Sequence, residues 1–187
     1  VNETQFDPLA QIMLDAYRAT AELNQSFRED HGQPMTTMAK VHVMRSVMQA
    51  DIIRHERYQL GQPFAEYGRV QVTDSEDGRD YLLRSAGAVA VERATGEPSL
   101  FDNRPYISSD VVLLVYLFEP SGLALSVAGT RRANEGRRLL ISGQLAPVGS
   151  WSWTTAPNGL PFDQGEVDLF NELREINIDG DEGEETG

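Results

Sequence analysis

No cysteine occurs in this chain, which removes disulfides, thiolate nucleophiles, iron–sulfur ligation and zinc-finger patterns together. Lysine is nearly absent as well: Lys40 stands alone beside fifteen arginines. Histidine is limited to His31, His42 and His55, too few and too poorly spaced for a three-histidine zinc site. No apolar run reaches the length of a membrane span, and the first residues, Val1 to Pro8, show neither a basic nor an apolar leader segment. The expectation is a soluble, cytoplasmic protein that makes no membrane contact. There is no Gly-x-Ser-x-Gly elbow, no phosphate-binding Gly-x-x-x-x-Gly-Lys loop and no Gly-x-Gly-x-x-Gly dinucleotide fingerprint. These absences point to no cofactor and no catalytic residue.

What is present is a globular composition of 187 residues, 40% hydrophobic and 24% charged, long enough for one domain with its own core. The net charge of −13 sets up a field that repels phosphate backbones, so nucleic acid is disfavoured as a partner unless a basic patch is segregated. An acidic, lysine-poor surface fits salt adaptation and, through its arginine bias, a GC-rich genome equally well.

Apolar residues at Leu9, Ile12, Met13, Ala16, Leu23 and Phe27 recur at helical spacing between Asp7-Pro8 and Gly32, and predict a helix over 7–30 with Asp7 as its cap. After Pro34, Thr36 or Thr37 can cap a second helix over 37–60, although alternation at Ala39, Val41 and Val43 also suits a short strand. From Tyr67 the period drops to two and turn residues recur, which predicts strands at 68–73, 80–85, 88–93, 110–118, 122–129 and 137–142, with a short one near 151–154. The run from Val111 to Phe118 is apolar on both faces and marks a central strand, while Pro147, Gly149, Pro157, Gly159 and Pro161 predict a loop over 146–162. A short amphipathic helix is expected over 164–176. The acidic, glycine-rich stretch 179–187 is expected to be a disordered tail, dispensable for folding.

The fold class is therefore α+β: an N-terminal helical hairpin on a curved antiparallel β-meander, with a short C-terminal helix and a mobile acidic tail. The domain takes in 1–178, its helical part 7–62 and its sheet 67–155.

Two features stand out as candidate sites. Arg131, Arg132, Arg137 and Arg138 surround one predicted hairpin turn, and their planar forks of donors match carboxylate or phosphate groups. Trp151 and Trp153 alternate across Ser152, so both indoles face one way, toward a ligand, a partner or the open end of the sheet. A weak metal candidate pairs Asp51 with His55 one helical turn away. Calcium is ruled out at Asn177, Asp179 and Asp181, because Glu182 occupies the glycine position of such a loop.

The leading expectation is a non-enzymatic protein-binding or assembly module, self-associating or binding an acidic partner through the arginine loop and the tryptophan patch. One alternative is an enzyme with a curved-sheet pocket, in which Arg84, Arg93 or Arg104 orients a small anion and Asp51, His55 or Asp102 does acid–base work. Another is a specialised nucleic-acid binder using the same arginines.

Overall fold

The computed structural model describes residues 3–61, 70–86, 89, 111–133 and 138–154, and of 129–133 and 138–144 the backbone alone. The expected loop at 94–105, the helix at 164–176, the tail from 179 and, apart from Val89, the strand at 88–93 lie outside the described residues.

After a single 3-10 turn at Glu3–Phe6 the chain enters α1, Asp7–His31. The apolar spacing produces this helix as expected, but Asp7 is not its cap. Phe6 holds that position without a side-chain hydrogen bond, pinned in the core against Tyr81 at a ring separation of 5.2 Å. Gly32 closes the helix at φ 73°, a left-handed conformation that costs glycine little, and its amide bonds the Arg28 carbonyl.

Helix α2 runs over Thr37–Arg54, with Thr36 as cap accepting from the Ala39 amide at 3.2 Å. It ends six residues before the expected boundary. His55 is already extended, and Tyr58–Leu60 forms a first strand, β1, that the sequence reading had folded into the helix. Tertiary contacts override the helical pattern here: Tyr58 is buried, and β1 pairs with β2 from Tyr58↔Asp74 to Leu60↔Val72.

The remaining strands are β2 Val70–Asp74, β3 Asp80–Ser85, β4 Val112–Glu119, β5 Gly122–Ala133 and β6 Arg138–Ser152, ordered across one sheet as they occur in the chain. All neighbours are antiparallel except β3 and β4, which run parallel from Tyr81↔Val112 to Ser85↔Tyr116. The α+β class expected from the sequence stands, and this one parallel pair is the departure from an antiparallel meander. Parallel neighbours need a long crossover, and the chain between Ser85 and Val112 supplies one. Within that crossover the described Val89 carries helical backbone where a strand had been expected.

The core has two parts, one on each face. On the helical face Leu9, Met13, Met48, Ile52, Val72 and Leu114 pack together. On the other, Leu82, Val89, Leu113 and Val115 make a second cluster. Strand β4 thus contributes to both, as its doubly apolar run implied. Consecutive residues at the start of α1 reach β3, through Phe6 and Tyr81, and the edge strand β6, through Asp7 and Trp151, so the sheet curls around the helix start.

Candidate functional site

The arginine-rich segment is built by the last two strands. Pro120 and Ser121 turn the chain from β4 into β5, and Gly122 follows at φ 154° with its Cα against the Trp151 carbonyl, where a side chain would collide. From that turn β5 pairs on one side with β4, from Gly122↔Glu119 to Ala128↔Leu113, and there the pairing with β4 stops. Among the described residues strand β5 continues with β6 alone for five more pairs, from Gly129↔Ser142 to Ala133↔Arg138. At the usual rise per residue this stretch, the arm, runs about 17 Å past the last pair with β4.

The arm begins at an irregularity. Between the pairs Val127↔Ala146 and Gly129↔Ser142, β6 carries two more residues than β5, and a second shift falls between Leu125↔Gly149 and Ser126↔Pro147. Bulges of this kind bend a strand and re-aim what lies beyond them. They also explain why the expected loop from Ala146 is strand as far as Ser152: Pro147 sits at a register shift on an edge strand, where a missing amide hydrogen is tolerated. The two short strands expected at 137–142 and 151–154 are accordingly one of fifteen residues.

Arg131 pairs with Leu140, Arg132 with Leu139 and Arg138 with Ala133, so three of the four candidate arginines lie on the arm; Arg137 lies outside the described residues. Successive pairs alternate between the two faces of a ribbon. Arg131 and Arg132 occupy successive pairs.

The tryptophans lie at the opposite end of the same ribbon. Both are half-buried against the helical-face core. Trp151 donates its indole N–H to Asp7 Oδ1 at 2.9 Å, and Trp153 donates to the Glu119 carbonyl at 3.2 Å. Tyr17 packs against both Phe118 and Trp153, with ring centroids at 4.2 and 5.2 Å, and burial pushes its hydroxyl well above the ordinary tyrosine range. The two indoles face one way, as their spacing implied, and what they face is α1. The structure does not bring them together with the arginines: β5 separates Gly122 from Ala133 by about 36 Å of strand.

Asp51 accepts from Arg54 at 3.2 Å on α2, and His55 lies past the helix end, its Nδ1 accepting from the Arg57 amide and its ring 5.0 Å from Tyr58. Among the described residues no three His, Asp or Glu side chains gather as a metal-binding set. Arg84, a candidate anion-orienting residue, is buried on β3 in the neighbourhood of Arg45 on α2 and Tyr116 on β4. Burial holds the Arg45 guanidinium below its ordinary value, Tyr116 opposes that, and the charge of Arg84 adds to it. Arg93, Arg104 and Asp102 lie outside the described residues.

One polar network escaped the sequence reading. Arg57 grips Asp74 with two hydrogen bonds, 2.9 and 2.7 Å, and reaches Glu76 at 2.9 Å, tying the end of α2 to the β2–β3 turn. Beside it Gln5 and Tyr81 both donate to Asp77, at 2.7 and 2.6 Å. Burial alone would raise Asp74, but the hydrogen bonds from Arg57 and from the Glu76 amide outweigh it and hold the carboxyl below its ordinary value. No local pattern announced the pair, because Arg57 and Asp74 meet only once β1 pairs with β2.

No family model, curated protein or solved structure shows a significant match to this chain. Among the described residues no helix is long and apolar enough to cross a membrane.

Proposed function

We propose that the protein is a non-enzymatic binding or assembly module whose contact element is the β5–β6 arm. The observation that carries this reading is the register: β5 and β6 stay paired for five residues after β4 has ended, and that extension holds Arg131, Arg132 and Arg138. A two-stranded ribbon gains little stability by itself in water, so an arm of this kind contributes to the fold far less than the strands behind it. Its chemistry is that of a cationic fork array on a chain of net charge −13, which selects carboxylate-rich protein surfaces. The tryptophans take a supporting part, since both indole N–H groups are already used within the chain to fasten β6 to α1 and to the β4–β5 turn.

Replacing Arg131, Arg132, Arg137 and Arg138 together by Gln tests the reading. Binding to poly-L-glutamate and self-association should both disappear, with the melting temperature unchanged. Binding and association equal to the wild type, with the same salt dependence, would reduce the arm to a solvated hairpin.

A further inference from the structure

The β2–β3 turn sets Asp77 directly before Gly78, and both are exposed. Gly78 is held at φ 68°, a left-handed conformation that glycine adopts without strain, and among the described residues nothing lies within 4 Å of where a Cβ would stand. The turn thus selects glycine here, and the same missing side chain leaves the Gly78 amide nitrogen unshielded. In an Asp-Gly pair that nitrogen can close a five-membered ring on the aspartate's own carboxyl carbon. Four hydrogen bonds oppose the closure. The Gly78 amide donates to the Asp74 carbonyl at 2.8 Å, and Asp77 Oδ1 accepts from the Arg79 amide at 2.8 Å. Asp77 Oδ2 accepts from Gln5 at 2.7 Å and from the Tyr81 hydroxyl at 2.6 Å. Neither reacting group turns toward the other without giving up a partner. Two of the partners come from outside the turn: Gln5 belongs to the 3-10 turn ahead of α1, and Tyr81 is fixed in the core against Phe6.

We infer that Asp77-Gly78 is a self-modification site, an aspartate set to isomerise and kept in its normal linkage by Gln5 and Tyr81. The reaction needs no partner but water. A bond forms between the Gly78 nitrogen and Asp77 Cγ while one carboxyl oxygen departs as water, carrying the carboxyl proton and the amide hydrogen, and a cyclic imide results. Water then adds to one of the two imide carbonyls. Attack at Cγ restores aspartate. Attack at the backbone carbonyl breaks its bond to the Gly78 nitrogen, so that the chain runs on through Cβ and Cγ and the former backbone carbonyl becomes the free carboxylate. The isomer adds a methylene to the backbone between strands paired from Val70↔Leu83 to Thr73↔Asp80. Its carboxylate now sits directly on Cα, which withdraws it from Gln5 and Tyr81 and frees the N-terminal turn from the hairpin.

Prolonged warm incubation of the full chain at neutral pH, followed by trypsin digestion, tests this on the peptide Val70–Arg79, whose isomers separate by chromatography and are assigned to Asp77 by fragmentation. The folded wild type should isomerise at Asp77 roughly tenfold more slowly than the same peptide made synthetically, because only the locally opened turn reacts. The variant Q5A/Y81F should isomerise at least about threefold faster than the wild type, having lost both outside partners while keeping the aromatic ring against Phe6. Circular dichroism checks its fold, and Gln5→Ala alone replaces it if the pair fails to fold. A wild type as fast as the free peptide, or a folded variant no faster than the wild type, overturns the guarding role of Gln5 and Tyr81. A synthetic peptide that stays unmodified under the same conditions overturns the site itself.

Discussion

The body of the sheet and the arm that leaves it are made of the same two strands and held by different forces. Up to Ala128, β5 has neighbours on both sides, and its residues Leu123 and Leu125 are buried in the core that α1 and α2 cover. Past the irregularity at Ala128 its partner among the described residues is β6 alone, and the leucines give way to two successive arginines, Arg131 and Arg132. What sets the two regions apart is where a third strand ends, which no property of β5 itself dictates. Stability belongs to the first region and contact chemistry to the second, and the following changes separate them.

The largest effect should come from Leu114→Ala in β4. Its side chain is fully buried at 0% exposure between the helices and the sheet, and truncation should cost about 3 to 4 kcal/mol in urea unfolding. A loss below about 1 kcal/mol would mean that β4 is not the centre of the body.

Next is Arg57→Met. It leaves the Asp74 carboxylate, 1% exposed, without its bidentate partner, and should cost about 2 to 3 kcal/mol at neutral pH. The sign with pH follows from the lowered carboxyl. Its stabilisation is complete above about pH 4, where the unfolded carboxylate is also ionised, and is lost as pH falls through the lower folded value. Acid titration of unfolding should therefore be shallower in Asp74→Asn than in the wild type; identical slopes would remove the pair from the account.

Gly122→Ala should cost about 2 kcal/mol, since the new methyl meets the Trp151 backbone and the residue's φ of 154° suits glycine. The damage falls at the base of the ribbon, where body and arm share their anchor. Smallest should be the effect of replacing the four arginines by Gln: within about 0.5 kcal/mol of the wild type by thermal melting, as for surface charges away from the core. A larger loss would place the arm in the body.

How far the sequence led can be judged from single elements. Leu9, Ile12, Met13 and Ala16 predicted α1 to within a residue, because periodicity is a local property that a buried face enforces, and the strand expected at 80–85 is β3. Chemistry narrowed the cap of α2 to Thr36 or Thr37, and Thr36 takes it. Pairing is not local, and there the reading failed. Nothing in Tyr58-Gln59-Leu60 distinguishes the last turn of a helix from an edge strand until Asp74 lies opposite, and nothing in Ser85 says that the next strand in the sheet is parallel. Pro147 and Gly149 read as loop residues, yet bulges on an edge strand accommodate both. The arginine cluster was legible as a hairpin. Its projection past β4 was not, since that depends on β4 beginning at Val112.

Hydrogen exchange on the wild-type chain, followed at low and high protein concentration in low salt, tests the division between body and arm most directly. The account predicts slow exchange in β3, β4 and the paired part of β5 at both concentrations, and fast exchange over 129–133 and 138–142 when dilute that slows when concentrated. Arm amides as protected as those of β4 at both concentrations, with no dependence on salt, would contradict it.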